Sequence, residues 1–187
     1  MLLEAFSRSK IMKRNLERNY MMQTLKKPVL AKNVFLASGS IVRGDVTLME
    51  DVNVWFHAVI RAEAGSVVIG SGTNIQDGCV IHVDQGADVA IGSQTTIGHN
   101  ATIHGCTIGN NTLIGMGAII MNHAVIGDNC IVAAGALVPQ NTVVPDNSLV
   151  MGNPAKIKRT VTAEEISHNL QNAAHYIAEA AVYAQTE

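Results

Sequence analysis

The chain has 187 residues, 48% of them hydrophobic, with a net charge of -2 and a mean hydropathy of +0.20, a size that suits one domain around a single core. No stretch approaches the ~20 uninterrupted apolar residues needed to cross a bilayer. Only 4% of residues are aromatic, which argues against a base-stacking platform, and the composition of the middle suits β-branched stacking with frequent turns.

The charge is unevenly spread. Residues 1–27 hold seven Lys or Arg against Glu4 and Glu17, which leaves six basic and thirteen acidic side chains over residues 28–187, a body poorly suited to nucleic acid. The basic segment lacks the apolar stretch and small-residue cleavage site of a secretory signal. It reads as a leader, disordered or non-native, with Met12, Met21 and Met22 as alternative starts, and the cytoplasm is the expected location.

From residue 28 to about 160 an aliphatic residue recurs every six positions: Leu36, Val42, Leu48, Val54 and Ile60, then Ile69, Ile75 and Ile81, then Ile91, Ile97 and Ile103. After a one-residue phase shift come Ile108, Ile114, Ile120, Ile126, Val132, Val138, Val144 and Val150. A period of six excludes an amphipathic helix and predicts an all-β solenoid, a parallel β-helix in which three units make one triangular coil. Six or so coils would stack at the ~4.8 Å strand spacing. Cys79, Cys106 and Cys130 keep the register and lack a C-x-x-C pair, so they read as buried filler. Beyond the repeats, Thr162-Ala163-Glu164-Glu165 is a capping box opening a C-terminal α-helix within 161–187, with Ile166, Leu170, Ala173, Ile177 and Ala181 as its apolar stripe.

The register sorts the histidines. His82 and His104 follow Ile81 and Ile103, equivalent positions on adjacent coils, and can share one metal. His99 follows Ile97 by two residues on a different edge. Threefold packing of prisms brings those two edges together, so a homotrimer would complete the site from a second subunit. Three histidines with an open position is the donor set of a catalytic Zn2+; Fe2+ or Co2+ are alternatives. His57 and His123 fall off this level and should be dispensable for metal. Arg61 lies one coil below His82 and Gln76 one coil below the His99 level, with Asp77 beside it. Arg61 and Asp77 are expected to form an ion pair across the interface, and Gln76 to hydrogen-bond the reacting water.

These residues resemble the gamma-class carbonic anhydrases and their hexapeptide relatives. The likeness rests on Val54-Trp55-Phe56, Ala58-Val59-Ile60-Arg61, Asn74-Ile75-Gln76-Asp77-Gly78, Val80-Ile81-His82, Ile97-Gly98-His99 and Ile103-His104-Gly105-Cys106. It covers about residues 30–180. The resemblance implies a left-handed β-helix, a trimer, His82 and His104 from one subunit with His99 from the next, and an orienting role for Gln76, with Asn74 and Tyr176 lining the site. Two departures stand out. The usual Arg-Gly-Asp reads Arg61-Ala62-Glu63, so a longer carboxylate must reach the usual partner. The loop from His82 to Ile91 is short and offers only Asp84 and Asp88, which argues against rapid proton export.

The chemistry such a site supports is attack on an electrophilic carbon by water whose pKa a cation lowers to about 7. Hydration of CO2 to bicarbonate is the leading reading. An acyl-CoA thioesterase would use the same nucleophile. A hexapeptide acyltransferase, favoured weakly by Gly152-Asn153-Pro154-Ala155-Lys156, needs no such constellation, and a non-enzymatic assembly protein with a vestigial site is the remaining alternative.

Overall fold

The computed structural model describes residues 26–186, so the basic leader lies outside the described residues except for Lys26 and Lys27. The aliphatic period becomes a left-handed parallel β-helix of about seven turns, followed by one helix. Each inward aliphatic residue pairs with its counterpart one coil away. On face one Ile69 pairs with Ile91, on face two Ile75 with Ile97, and on face three Ile81 with Ile103. These ladders fill the interior: from Leu48 to Val150 the repeat residues are 0–3% exposed, each contributing roughly 1.5–3 kcal/mol by burial. Leu36 and Val42 are more open because they lie in the lowest coils.

The three cysteines are buried and unpaired, and burial pushes the Cys79 and Cys106 thiols up to about 12. Asn33, Asp51, His57, Asn100, Asn111, His123 and Asn129 all take positive φ at prism corners, a conformation that short polar residues tolerate best. His57 and His123 are thus corner residues.

Three steps in the sequence period depart from six: Ile60 to Ile69, Ile81 to Ile91, and Ile103 to Ile108. All three fall at one corner, between faces three and one. In the lower coils the chain passes it as continuous strand, Ile41–Leu48 and Val59–Ile69, paired with an irregularity near Gly44. Higher up, it turns through Asp84 and Ala87, and then tightly at Gly105, whose φ is +52°.

Face two ends in an antiparallel pair, Ser148–Gly152 with Ala155–Thr160. The helix, Ala163–Tyr183, then opens on Thr162 with the expected capping box and packs back along face two. Its packed side is rotated from the apolar stripe. Asn169, Ala173 and Ala180 are buried while Leu170 is 39% exposed and Ala181 faces solvent. Face two is polar beneath the helix, and Asn169 and Asn172 answer it: Asn169 Nδ2 donates to Asn111 O at 3.2 Å and Asn172 Nδ2 to Thr96 Oγ1 at 3.0 Å. At its far end the helix closes an aromatic cluster, with Tyr176 and Tyr183 edge-on to Trp55 at 5.5 and 5.2 Å.

Candidate metal centre

Parallel pairing stacks Arg61, His82 and His104 in one column at the end of face three. Each follows an inward isoleucine, so strand alternation turns it outward. His82 Nδ1 lies 2.9 Å from His104 Nε2, and His82 Nε2 lies 3.1 Å from Glu63 Oε1. His104 Nδ1 is 2.5 Å from Asn122 Oδ1.

The hydrogens follow from the outer partners inward. Asn122 Nδ2 donates to Asp84 Oδ2 at 2.9 Å, so the Asn122 carbonyl faces His104 and can only accept. His104 therefore carries its hydrogen on Nδ1. Glu63, ionised, also only accepts, which places the His82 hydrogen on Nε2. Burial, the Arg61 guanidinium and His104 hold the His82 imidazolium pKa below its ordinary value, against a smaller opposing effect of Asp84. The ring is accordingly neutral at pH 7.

The two facing nitrogens lie 2.9 Å apart; where both rings are neutral each presents a lone pair there, and one cation would take up both. The donors fit a divalent cation: two imidazoles, each with its far ring nitrogen anchored by a carboxylate or amide. Asp84 adds an in-chain carboxylate: one of its oxygens and one ring nitrogen from each of His82 and His104 lie within 4.8 Å of one another. Gly105 makes the Asn122 contact sterically feasible, since a Cβ there would meet Asn122 Oδ1 at 2.8 Å and Ala87 Cβ at 2.7 Å.

His99 stands on face two, away from this pair. Its Nδ1 is held by Asp77 Oδ2 at 2.8 Å, which leaves Nε2 available, and its backbone N–H donates to Gln76 Oε1 at 3.1 Å. Within the protomer Arg61 pairs with Glu63, and Asp77 with His99; an Arg61–Asp77 pair would have to form between copies. Asn74 is fully buried under the helix and touches Gln76, whose Nε2 donates to Asn74 Oδ1 at 3.2 Å. Tyr176 packs on Trp55; burial, Glu179 and then Asp77 raise its phenol pKa, which places Asp77 within its electrostatic reach.

The residues that sequence reasoning left without a role here are Asn122, Asp84 as a donor, Thr96 and Asn172. The longer carboxylate of Glu63 does find a partner pair, Arg61 and His82. A signal for Asn122 lay in the five-residue step from Ile103 to Ile108, which places a tight corner beside His104.

Fold and site together define a hexapeptide-repeat β-helix with a paired-histidine centre. Residues 105–140 match the family model for the bacterial transferase hexapeptide of six repeats. A probable carbonic anhydrase of Methanocaldococcus jannaschii is 47% identical over 80% of this chain and 94% of its own length. The mitochondrial gamma carbonic anhydrase 2 of Arabidopsis thaliana is 39% identical over 85% of this chain, which spans only 59% of the plant protein. Among solved structures, a putative acetyltransferase from Bacillus cereus superposes with a TM-score of 0.85 at 34% identity, covering 87% of this chain and 94% of the other. The chain belongs to the gamma carbonic anhydrase family of hexapeptide-repeat proteins. No helix among the described residues is long and apolar enough to cross a membrane.

Proposed function

We propose that this protein hydrates carbon dioxide reversibly, using a divalent cation, Zn2+ in first place, held by His82 and His104 of one subunit and His99 of a neighbouring copy in a homotrimer. The observation that carries the reading is the pair of imidazole nitrogens, His82 Nδ1 and His104 Nε2, facing each other at 2.9 Å with their far ring nitrogens held by Glu63 and Asn122. A cation held by these residues would lower the pKa of water toward neutrality and so supply a nucleophile for CO2 at pH 7. The chain's own groups do the rest. Glu63 and Asn122 fix the tautomers of His82 and His104, Asp77 fixes that of His99, and Gln76 offers an amide N–H to the reacting oxygen. The apolar outer residues of face three, Ile41, Val80 and Ile119, each more than 40% exposed, supply a surface for the neighbouring copy beside the histidine column.

Acyl transfer or thioester hydrolysis is the second reading, favoured by the match to the transferase repeat model and by the Bacillus cereus relative named as a putative acetyltransferase. One preparation separates the two: metal content, sedimentation mass, stopped-flow CO2 hydration, and acyl-CoA turnover are measured on wild type and His104→Ala. A trimer with one metal per chain, whose hydration falls at least 100-fold in His104→Ala, supports the anhydrase. A metal-free protein that transfers an acyl group equally well in wild type and His104→Ala overturns it.

A further inference from the structure

A line of hydrogen bonds runs from the back of the centre to the C-terminal helix, and its direction is fixed at one end. The backbone N–H of His99 can only donate, so Gln76 must present Oε1 to it, at 3.1 Å. Gln76 Nε2 then faces Asn74 Oδ1 at 3.2 Å, which turns Asn74 Nδ2 toward Thr96 Oγ1 at 2.8 Å. That hydroxyl must accept, and Asn172 Nδ2 from the helix fills its other lone pair at 3.0 Å. Asn74, Thr96 and Gln76 are 0%, 3% and 5% exposed, so these three cannot exchange their partners for bulk water, while Asn172 is half-buried at the outer end. In a buried network an amide that loses its acceptor must rotate, and each rotation is passed to the next member.

We propose that Thr96 and Asn172 are positioning residues for the centre. Docking of the helix holds Asn74, and through it the amide of Gln76 and the backbone of His99, in the orientation the site uses. Gln76 is thereby left with its second Nε2–H as the donor it turns to the site. The inference rests on the reading of His99 as a ligand and Gln76 as its neighbour. It assigns work to two residues, one of them on the helix, that touch neither the metal nor the substrate.

The test uses the full chain with Thr96→Val, which keeps the shape of the side chain and removes the acceptor, Thr96→Ser, which restores it, and Asn172→Ala, which removes the helix donor. Co2+ is titrated into the metal-free proteins and followed by its visible absorption, with trimer mass and CO2 hydration measured in parallel. The expected result is a trimer in every case, Co2+ affinity about 10-fold weaker with an altered band in Thr96→Val, a smaller change of the same sign in Asn172→Ala, and recovery in Thr96→Ser. Turnover should fall with affinity while KM stays near wild type. If Thr96→Val fails to fold, Asn172→Ala carries the same comparison. Lowered thermal stability with unchanged Co2+ affinity, band and turnover in the folded variants overturns the inference alone. A wild-type protein that takes up no Co2+ overturns the metal reading and this inference with it.

Discussion

The two sides of face two are made by the same strands and obey different rules. Inward, Val54, Ile75 and Ile97 are fully buried aliphatics in a ladder where each meets others of its kind. Outward, Asn53, Asn74 and Thr96 are equally buried, yet each is tied to a named partner: Asn53 accepts from Trp55 Nε1 at 2.8 Å, and Asn74 donates to Thr96 at 2.8 Å. The interior depends on volume and apolarity, which several residues satisfy. The outer row depends on the direction of each donor, which almost none do. Stability should therefore be concentrated inside and function outside, at the same depth of burial.

The largest effect that would break this division is on the inner side. Ile97→Ala removes a side chain with no exposure from a ladder that cannot collapse around the gap, and should cost about 2–5 kcal/mol in denaturant unfolding, against about 0.5–1.5 for Ile97→Val. Metal affinity of the folded fraction should stay near wild type. A large loss of affinity in Ile97→Val, which only trims volume, would show that inner and outer sides are not separable.

A smaller effect on stability and a larger one on the centre are expected at Gly105. Its φ of +52° is accessible to Ala at roughly 1–2 kcal/mol, but the added Cβ would press on Asn122 Oδ1 and displace the acceptor that fixes His104. Gly105→Ala should lower metal affinity about 10-fold or more, and because the Cβ would also meet Ala87 Cβ at 2.7 Å the melting temperature should fall by more than the backbone cost alone. Unchanged affinity would mean that Asn122 does not set the His104 tautomer.

How much of this was legible in the sequence follows the same divide. The inner ladders were readable residue by residue because a period of six leaves one solution, and even the pairing of Ile81 with Ile103, and so of His82 with His104, follows from counting. The corner irregularities were visible as breaks in the period, though not as the place where Glu63, Asp84 and Asn122 gather. The helix was located by its capping box, but its packed side was misjudged at Leu170 and Ala181. Amphipathicity was the guide, and the surface it meets is polar, so Asn169 takes a buried position and Asn172 a half-buried one. Hydrogen-bond direction between residues 76 positions apart, as in Asn172 to Thr96, has no periodic signature.

The smallest effect concerns the start of the helix that closes this outer row. Glu165 is tied to the two terminal guanidinium nitrogens of Arg159, at 2.8 and 2.7 Å, and accepts from the Thr162 backbone N–H at 2.9 Å. The Arg159 hydrogen bonds, with those of Thr162, hold its carboxyl well below the ordinary value, at about 2. A carboxylate lowered in this way stabilises the fold fully above its ordinary range near 4.5, and that contribution is lost as pH falls toward 2. The group is at the surface, so the effect is small and weakened by salt. Trp55, the only tryptophan, packs against Tyr176 and Tyr183 of the helix, so its fluorescence reports docking. Glu165→Ala should melt earlier than wild type by this signal at pH 7, and the gap should narrow steadily from pH 4.5 downward. A gap that stays constant to pH 3 would mean that the uncharged part of the capping box, and not the Arg159 pair, holds the first turn in place.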